Sequence, residues 1–155
     1  MIRKAESGDV AAMVALSERD RTMREKIDPE FFRKRAGGAE IQAHFFQNQL
    51  LSDRVIALVD MDGDRLAGFA IATITQAPPV YDPGGLTVLI DDFTVDNPSE
   101  WGSVGLALLA RIKLETKSRG AVGVVTICAR GDNEKHHWLE KIGTRVVSEW
   151  HFMRL

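Results

Sequence analysis

A chain of 155 residues, of which 45% are hydrophobic, is long enough to bury a core, and we expect one domain over residues 1–155. Its 20 basic and 22 acidic side chains give a net charge of -2, which argues against nucleic acid and membranes as partners. The single cysteine, Cys128, excludes an internal disulfide. Together with an N-terminus that lacks an apolar signal segment, it predicts a cytoplasmic protein.

The first third of the chain predicts a short strand and then helices. Residues 2–5 form the expected strand, and residues 7–9 offer helix-start chemistry. Helical spacing follows, with a polar residue at the last of the positions Val10, Met13, Val14 and Ser17. Asp28 and Pro29 suit the start of a second helical segment, which Gly37 and Gly38 can divide. Most of its aromatic rings are expected in the core: Phe31, Phe32, Phe45 and Phe46.

The middle of the chain predicts a β-hairpin. Two β-rich runs cover residues 54–60 and 65–75, and Asp62-Gly63 lies between them. Asp-Gly between such runs is a strong signal for antiparallel pairing through a tight turn. The next ten residues, 76–85, contain three prolines and two glycines, so we expect an exposed loop there.

The segment after that loop is the most informative for function. Residues 86–95 predict a strand, a glycine-bearing turn follows, and residues 105–119 predict a helix with Leu106, Leu109 and Ile112 on one side. A helix entered from such a turn directs unpaired backbone N–H groups and the positive end of its dipole into the turn. An anionic group such as a phosphate can bind there.

The last third completes the predicted fold class. Residues 121–128 predict a strand, residues 134–142 a short helix, and residues 145–153 a final strand. Antiparallel strands come first, and helix-separated, parallel strands follow. This order predicts an α/β (α+β) fold with a mixed, mostly antiparallel central sheet flanked by helices on both faces.

Nearly the whole chain resembles the GNAT superfamily of acyl-CoA-dependent N-acyltransferases. Residues 1–5 ahead of residues 9–13 look like the first strand and helix of that family, and Gly68-Phe69 stands where its hairpin carries Gly-Phe. The acyl-CoA loop of the family aligns from Val95 to Gly105. Departures from the loop pattern occur at Asn97, Glu100, Trp101 and Ser103. Glu100 is the serious one, because a carboxylate beside a diphosphate is repelled unless it turns outward.

The resemblance implies acetyl-CoA (coenzyme A) as co-substrate, no metal, and a primary amine of a small molecule, peptide or protein as acceptor. The backbone of Phe93, Thr94 and Val95 would hold the pantetheine arm where this strand splays from its parallel neighbour. The diphosphate would lie on the turn and helix start, at Trp101, Gly102, Ser103, Val104, Gly105 and Leu106. Asn133 is either a further coenzyme contact or only a helix N-cap.

Asp91 and Asp92 are the candidate bases for removing a proton from the amine. They are neighbours on a strand, so their side chains point to opposite faces and at most one faces the cleft. Alternation places Ile90 and Asp92 on one face and Asp91 and Phe93 on the other, and we favour Asp92. The alternative is that one carboxylate lies in solvent and the other orients a backbone turn.

The C-terminal residues leave several roles open. Residues 138–143 resemble a family segment that often supplies a tyrosine as proton donor, but Leu139 stands at the matching position. His136 and His137 diverge around the helix axis and cannot ligate one metal; one could replace the tyrosine, although a solvated helix face is the simpler interpretation. Trp150 and His151 could line the cleft or a homodimer interface.

Three functions therefore stay open. The first is an N-acetyltransferase. The second is a protein of the same fold that binds acyl-CoA as a sensor or partner-binding module without turnover. The third is an unrelated α/β domain whose turn at Val104-Gly105 binds no ligand, because a short glycine signal is weak and a fold does not determine a function.

Overall fold

The structure is a computed structural model that describes residues 1–155. Its strands are β1 (Ile2–Lys4), β2 (Val55–Asp62), β3 (Arg65–Thr75), β4 (Leu86–Val95) and β5 (Ala121–Thr126). Its helices are α1 (Val10–Ile27), α2 (Gly38–Leu50), α3 (Val104–Lys117) and α4 (Asn133–Lys141), with short 3-10 turns at Ser7–Asp9 and Pro98–Gly102. No helix combines the length and the apolar character needed to cross a membrane.

The five strands form one sheet in the order β1-β2-β3-β4-β5. The first three neighbouring pairs are antiparallel, whereas β4 and β5 are parallel and are connected through α3. The predicted fold class, a mixed and mostly antiparallel sheet with helices on both faces, is confirmed. The hairpin is also confirmed: it turns at Gly63, whose φ of 59° explains why a glycine stands there.

A hydrophobic layer covers each face of the sheet. One layer joins alternate strand residues to α3 and α4, through Ile90, Phe93, Leu108, Ile112, Trp138 and Leu139. The other joins the opposite strand residues to α1 and α2, through Val10, Met13, Val14, Phe46, Phe69 and Ile71. Within α3 the predicted buried side is confirmed for Ile112, which is fully buried, and for Leu109, which is partly buried against the core. It was wrong for Leu106, which is 46% exposed, whereas Leu108 is fully buried.

A β-bulge in β4 overturns the predicted facing of its side chains. Ala72 of β3 pairs with Ile90, but the next residue, Ile71, pairs with Asp92, so Asp91 is the extra residue. One extra residue reverses the alternation beyond it. Ile90 and Asp92 therefore lie on opposite faces of the sheet. Asp92 lies on the α1 side, on the same face as its cross-strand partner Ile71.

The second helical segment begins later than predicted. Asp28 starts a turn instead of a helix, and its carboxylate accepts hydrogen bonds from the N–H groups of Glu30 and Phe31, both at 3.0 Å. The helix starts at Gly38, after Gly37 with a φ of 72°. The expectation of an aromatic core was wrong for most of the rings: only Phe46 is buried, and Phe31 is 46% exposed.

The predicted final strand is absent. Residues 145–155 form no strand, and β5 remains the unpaired edge of the sheet. The segment instead runs towards the turn after α1, where Phe152 packs on Phe31 with ring centroids 5.5 Å apart and Arg154 pairs with Glu30 at 3.3 Å. Trp150 is 85% exposed and does not line a cleft within this chain.

Candidate active site

The N-terminus of α3 presents free backbone N–H groups. A 3-10 turn leads into it, and the N–H of Ser103 is used there, because it donates to the Glu100 carbonyl at 3.1 Å. The first backbone N–H of α3 that forms a helical hydrogen bond is that of Ala107, which donates to the Ser103 carbonyl at 3.0 Å. Val104, Gly105 and Leu106 occupy the first helical positions, whose N–H groups lack an intrahelical partner. Three amides are thus available to an anion.

Trp101 supports this turn from the core side. Its indole is 5% exposed and stacks on Trp138 with ring centroids 4.9 Å apart. A Cβ atom added to Gly105 would lie 2.5 Å from the Trp101 ring, so the indole contacts the helix backbone directly and only glycine fits. Gly102 and Ser103, in contrast, lie exposed on the outside of the turn.

Glu100 pairs with Arg65. The guanidinium of Arg65 contacts Glu100 at 3.1 Å, Asp96 at 2.9 Å and Asp62 at 3.3 Å. Hydrogen bonds to Glu100 and then to the two aspartates raise the pKa of Arg65. Arg19 also bonds Asp96, and that bond lowers the pKa of the Asp96 carboxyl. The carboxylate that departs from the family pattern is therefore ion-paired within the protein.

The second half of β4 pairs with β3 but has no strand on its other side. The last β4–β5 pair is Ile90 with Thr126, and the N–H of Ile127 donates to the Ile90 carbonyl at 3.2 Å. Beyond that point β5 ends, so Phe93, Thr94 and Val95 lack a β5 partner. This opening matches the splayed strand pair that the resemblance implies.

Lys135 occupies part of the opening, and nothing in the sequence interpretation had singled it out. Its side chain is 1% exposed, and its Nζ donates to the Phe93 carbonyl at 2.9 Å while lying 5.1 Å from the Trp101 ring centroid. Burial lowers the pKa of Lys135 to about 8. The available signal was its spacing, because Lys135 shares one face of α4 with the apolar Trp138 and Leu139.

A polar cavity of about 210 Å³ lies on the other side of β4, beneath α1 and α2. Strand residues Asp92, Phe93 and Thr94 form one wall. The other wall consists of polar side chains from the two helices: Ser17, Asp20, Arg21, Arg24 and Gln42. The cavity thus brings the favoured base together with two of the residues predicted to hold the coenzyme.

Asp92 is the carboxyl group in this cavity whose pKa is raised to near neutrality. Burial, and then the neighbouring Asp91 carboxylate, raise the pKa of Asp92 to about 6, against an opposing effect of Arg24 and Arg21. Burial also raises the pKa of Asp20, which lies 2.9 Å from the guanidinium of Arg24. A carboxyl group with a pKa near neutrality in a cavity suits a general base.

The other predicted site residues have more limited positions. Asp91 does not line the cavity. Its carboxylate accepts a hydrogen bond from the N–H of Asp92 at 3.1 Å, so Asp91 takes the backbone-orienting role that the sequence left open for one of the two aspartates. Asn133 is the first residue of α4, and Asp132 is the N-cap, accepting the N–H of Lys135 at 3.2 Å. The N-cap interpretation of Asn133 was therefore wrong.

A larger cavity of about 340 Å³ lies between β1, β2 and the end of α2. Its charged lining residues are Lys4, Asp53 and Arg119. Arg119 is already used, since it donates to the Asp53 carbonyl at 3.0 Å. Size alone therefore does not make this cavity the better candidate, and the cavity at Asp92 is the candidate site.

Comparison with solved structures identifies the fold. A point mutant of the BH1408 protein from Bacillus halodurans superposes with a TM-score of 0.87 at 18% identity, covering 100% of this chain and 99% of that one. A predicted acetyltransferase from Clostridium acetobutylicum, solved with acetyl-CoA, gives 0.75 at 18% identity, covering 99% and 95%. The chain has a GNAT-like fold. An aminoglycoside N-acetyltransferase, AAC(6')-Iy in complex with CoA, gives 0.69 at 15% identity, covering 100% and 93%.

Sequence comparison adds no family. No protein-family profile matches the chain, and no curated protein matches it. A transcriptional regulator from Bacillus halodurans also shares the fold, with a TM-score of 0.77 at 18% identity over 100% of this chain and 99% of that one. The structural likeness thus concerns the fold alone, and the function has to be argued from the site.

Proposed function

We propose that this protein is an N-acetyltransferase that moves an acetyl group from acetyl-CoA to a primary amine. The observation that carries the proposal is the position of Asp92, a carboxylate with a raised pKa in a polar cavity. The cavity shares β4 with the opening beside Phe93 to Val95, and that strand leads to the free amides of α3. Structures of the same fold that hold acetyl-CoA or CoA lend support.

The residues present fit the diphosphate of coenzyme A. The N–H groups of Val104, Gly105 and Leu106 would bind it, with the exposed Gly102 and Ser103 beside it and the helix dipole favouring its charge. Arg65 pairs with the Glu100 carboxylate close to this turn. Backbone groups of Phe93, Thr94 and Val95 would bind the pantetheine arm. The Phe93 carbonyl already accepts from Lys135, and because a carbonyl oxygen has two lone pairs it can accept a second bond.

The reaction requires this chain to accept one proton. Bound acetyl-CoA supplies an activated thioester carbonyl. The Asp92 carboxylate would accept a proton from the ammonium group of the acceptor, directly or through one water, so that a neutral amine is present beside the carbonyl. Arg24 and Arg21 favour the ionised form of Asp92 and so keep it ready to accept that proton.

Thermal unfolding and thiol release test the proposal in two stages. Acetyl-CoA at about 100 times its Kd should stabilise the protein by roughly 2.7 kcal/mol, which appears as a higher melting temperature. Free thiol should then be released in the presence of suitable amines. Ser103→Glu places a carboxylate beside these amides on the exposed side of the turn and should abolish the shift, whereas Arg111→Gln, in the middle of α3, should leave it unchanged. No shift with millimolar acetyl-CoA would overturn the proposal.

One observation favours the acyl-CoA sensor as a second candidate. Leu139 is apolar and buried, so that position supplies no proton for a departing thiolate. If acetyl-CoA raises the melting temperature but no amine accelerates thiol release, the protein binds the coenzyme without turnover. The two measurements together therefore separate the enzyme from the sensor.

A further inference from the structure

The face of α1 that covers β4 changes from apolar to polar halfway along the helix. Its first half buries Val10, Met13 and Val14 in the core. Its second half carries polar residues spaced i, i+3, i+4 and i+7, so all four lie on one side, and all four line the cavity: Ser17, Asp20, Arg21 and Arg24. A helix face turned to a sheet normally buries apolar side chains. The exception coincides with the cavity of Asp92.

Two polar atoms of this face are buried without a hydrogen-bond partner. The first is Oγ of Ser17, a residue that is only 5% exposed, and the second is Nε of Arg24. Arg24 Nε lies 2.9 Å from the Asp20 carboxylate, but in the geometry of an ion pair and not of a hydrogen bond. Because buried polar groups are almost always paired, these two atoms indicate a ligand with an oxygen that accepts hydrogen bonds.

The charges of the cavity leave one carboxylate without a partner. Arg21 pairs with Glu18 at 2.7 Å, and Arg24 pairs with Asp20 at 2.9 Å. Asp92 lines the same cavity and receives neither an ion pair nor a side-chain hydrogen bond from the protein. A ligand amine therefore suits Asp92, whereas a ligand carboxylate suits the buried Nε of Arg24 and Oγ of Ser17, which lack a hydrogen-bond partner.

We propose that the acceptor is a small zwitterion of the amino-acid type, whose amine faces Asp92 and whose carboxylate is bound by Arg24 and Ser17. The inference rests on the proposed function, since it concerns the same cavity. A volume of about 210 Å³ suits a compact molecule, because pockets for drug-sized ligands measure roughly 300–1,000 Å³.

The reaction itself would help the product to leave. Asp92 takes one proton from the ammonium group, and the amine nitrogen forms a bond to the carbonyl carbon and releases its second proton to water. The carbon–sulfur bond breaks as the thiolate departs, and the thiolate takes a proton from water. The acetylated product keeps its carboxylate but has lost its positive charge. Once Asp92 has returned its proton to solvent, the neutral amide no longer forms an ion pair with it.

Matched acceptors test the inference. Amino acids are compared with their decarboxylated amines and with their amides, for instance alanine with ethylamine and alaninamide, by the rate of thiol release from acetyl-CoA. We expect kcat/KM to be at least ten-fold higher for the zwitterion of a matched set. Arg24→Gln should remove that preference, whereas Arg111→Gln, an exposed arginine of α3, should keep it. A preference for the amine or the amide would overturn the inference.

A binding measurement keeps the test independent of turnover. With CoA present, the preferred amino acid should raise the melting temperature of the wild-type protein but not that of Arg24→Gln. Ser17→Ala removes an unpaired hydroxyl, so it should keep or raise the melting temperature of the free protein while weakening amino-acid binding at least three-fold. If no amino acid shifts the melting temperature, the inference fails. If amino acids bind but thiol is never released, the proposed function fails instead.

Discussion

Asp92 owes its raised pKa first to burial and second to the Asp91 carboxylate. A base must be ionised to act, so kcat/KM should rise with pH through about 6 and level off above it. Asp91→Asn should move this rise to lower pH, because it removes the second cause. Asp92→Asn should abolish most of the activity. A pH profile unchanged in Asp91→Asn, or full activity in Asp92→Asn, would remove Asp92 from the mechanism.

The same shift makes a prediction about stability. The pKa of Asp92 is about 6 in the folded chain and close to 3.8 in the unfolded chain, so the folded state holds the extra proton between these values. Stability is therefore lost as the pH rises from about 4 to 6. Asparagine resembles the protonated form, so Asp92→Asn should raise the free energy of unfolding at pH 7.5 by about 1–3 kcal/mol, with little effect at pH 4. Denaturant unfolding at both pH values measures the difference.

Lys135 has the opposite shift, because burial lowers its pKa to about 8. Below that pH the folded protein contains a buried ammonium group, whereas above it the folded chain releases a proton that the unfolded chain keeps. Stability should therefore rise between pH 8 and 9. The window ends there because burial raises the pKa of Cys128 from 9.0 to about 11, and that thiol opposes the rise at higher pH.

Lys135→Met tests this in denaturant unfolding at pH 7 and pH 9. The variant should lack the rise with pH, and Lys141→Met, at the far end of the same helix, should retain it. Equal pH dependence in the wild-type protein and Lys135→Met would show that the buried amine does not change its protonation on folding. The variant also loses the hydrogen bond to the Phe93 carbonyl, which lowers the free energy of unfolding at both pH values.

At the scale of elements, the start of α3 depends on a neighbouring charge cluster. Arg65 pairs with Glu100 and two aspartates near this end of the helix. Arg65→Ala should therefore weaken acetyl-CoA binding by about five-fold at low salt, and 0.5 M salt should reduce the effect because it screens exposed charges. Isothermal titration measures both.

A second substitution identifies the charge responsible. Adding Glu100→Gln to Arg65→Ala should recover part of the lost affinity, whereas Arg111→Ala, which only disrupts an ion pair with Glu115 on the same helix, should change little. If Arg65→Ala binds acetyl-CoA as tightly as the wild-type protein, the charge cluster lies too far from the coenzyme to matter.

Elements whose signals are local were predicted well. The hairpin depends on Asp62-Gly63, and the α3 start depends on the glycine-bearing turn before it, so neighbouring residues carry the information. The bulge at Asp91 has no local signal, since two adjacent aspartates fit a regular strand equally well. The polar face of α1 could have been found, because Ser17 already interrupts the apolar spacing and Asp20, Arg21 and Arg24 continue it.

At the scale of the whole molecule, the order of elements was enough to predict the fold at 15–18% identity to solved structures. What failed was non-local. The segment over residues 145–153 has strand-like residues, but its contacts with Glu30 and Phe31 draw it away from β5. The sequence did not predict the whole site for the same reason, since only the tertiary fold brings Lys135 into contact with Phe93.

The bulge makes the facing of the β4 side chains depend on one extra residue in that strand. If Asp91 were deleted, the ladder between β3 and β4 would become regular, and everything on one side of the deletion would rotate by half a turn. Either the carboxylate of Asp92 would enter the apolar layer beside Trp101 and Trp138, or Ile90 would leave it. A single backbone unit, whatever side chain it carries, thus keeps the Asp92 carboxylate and the two tryptophans on separate sides of the sheet.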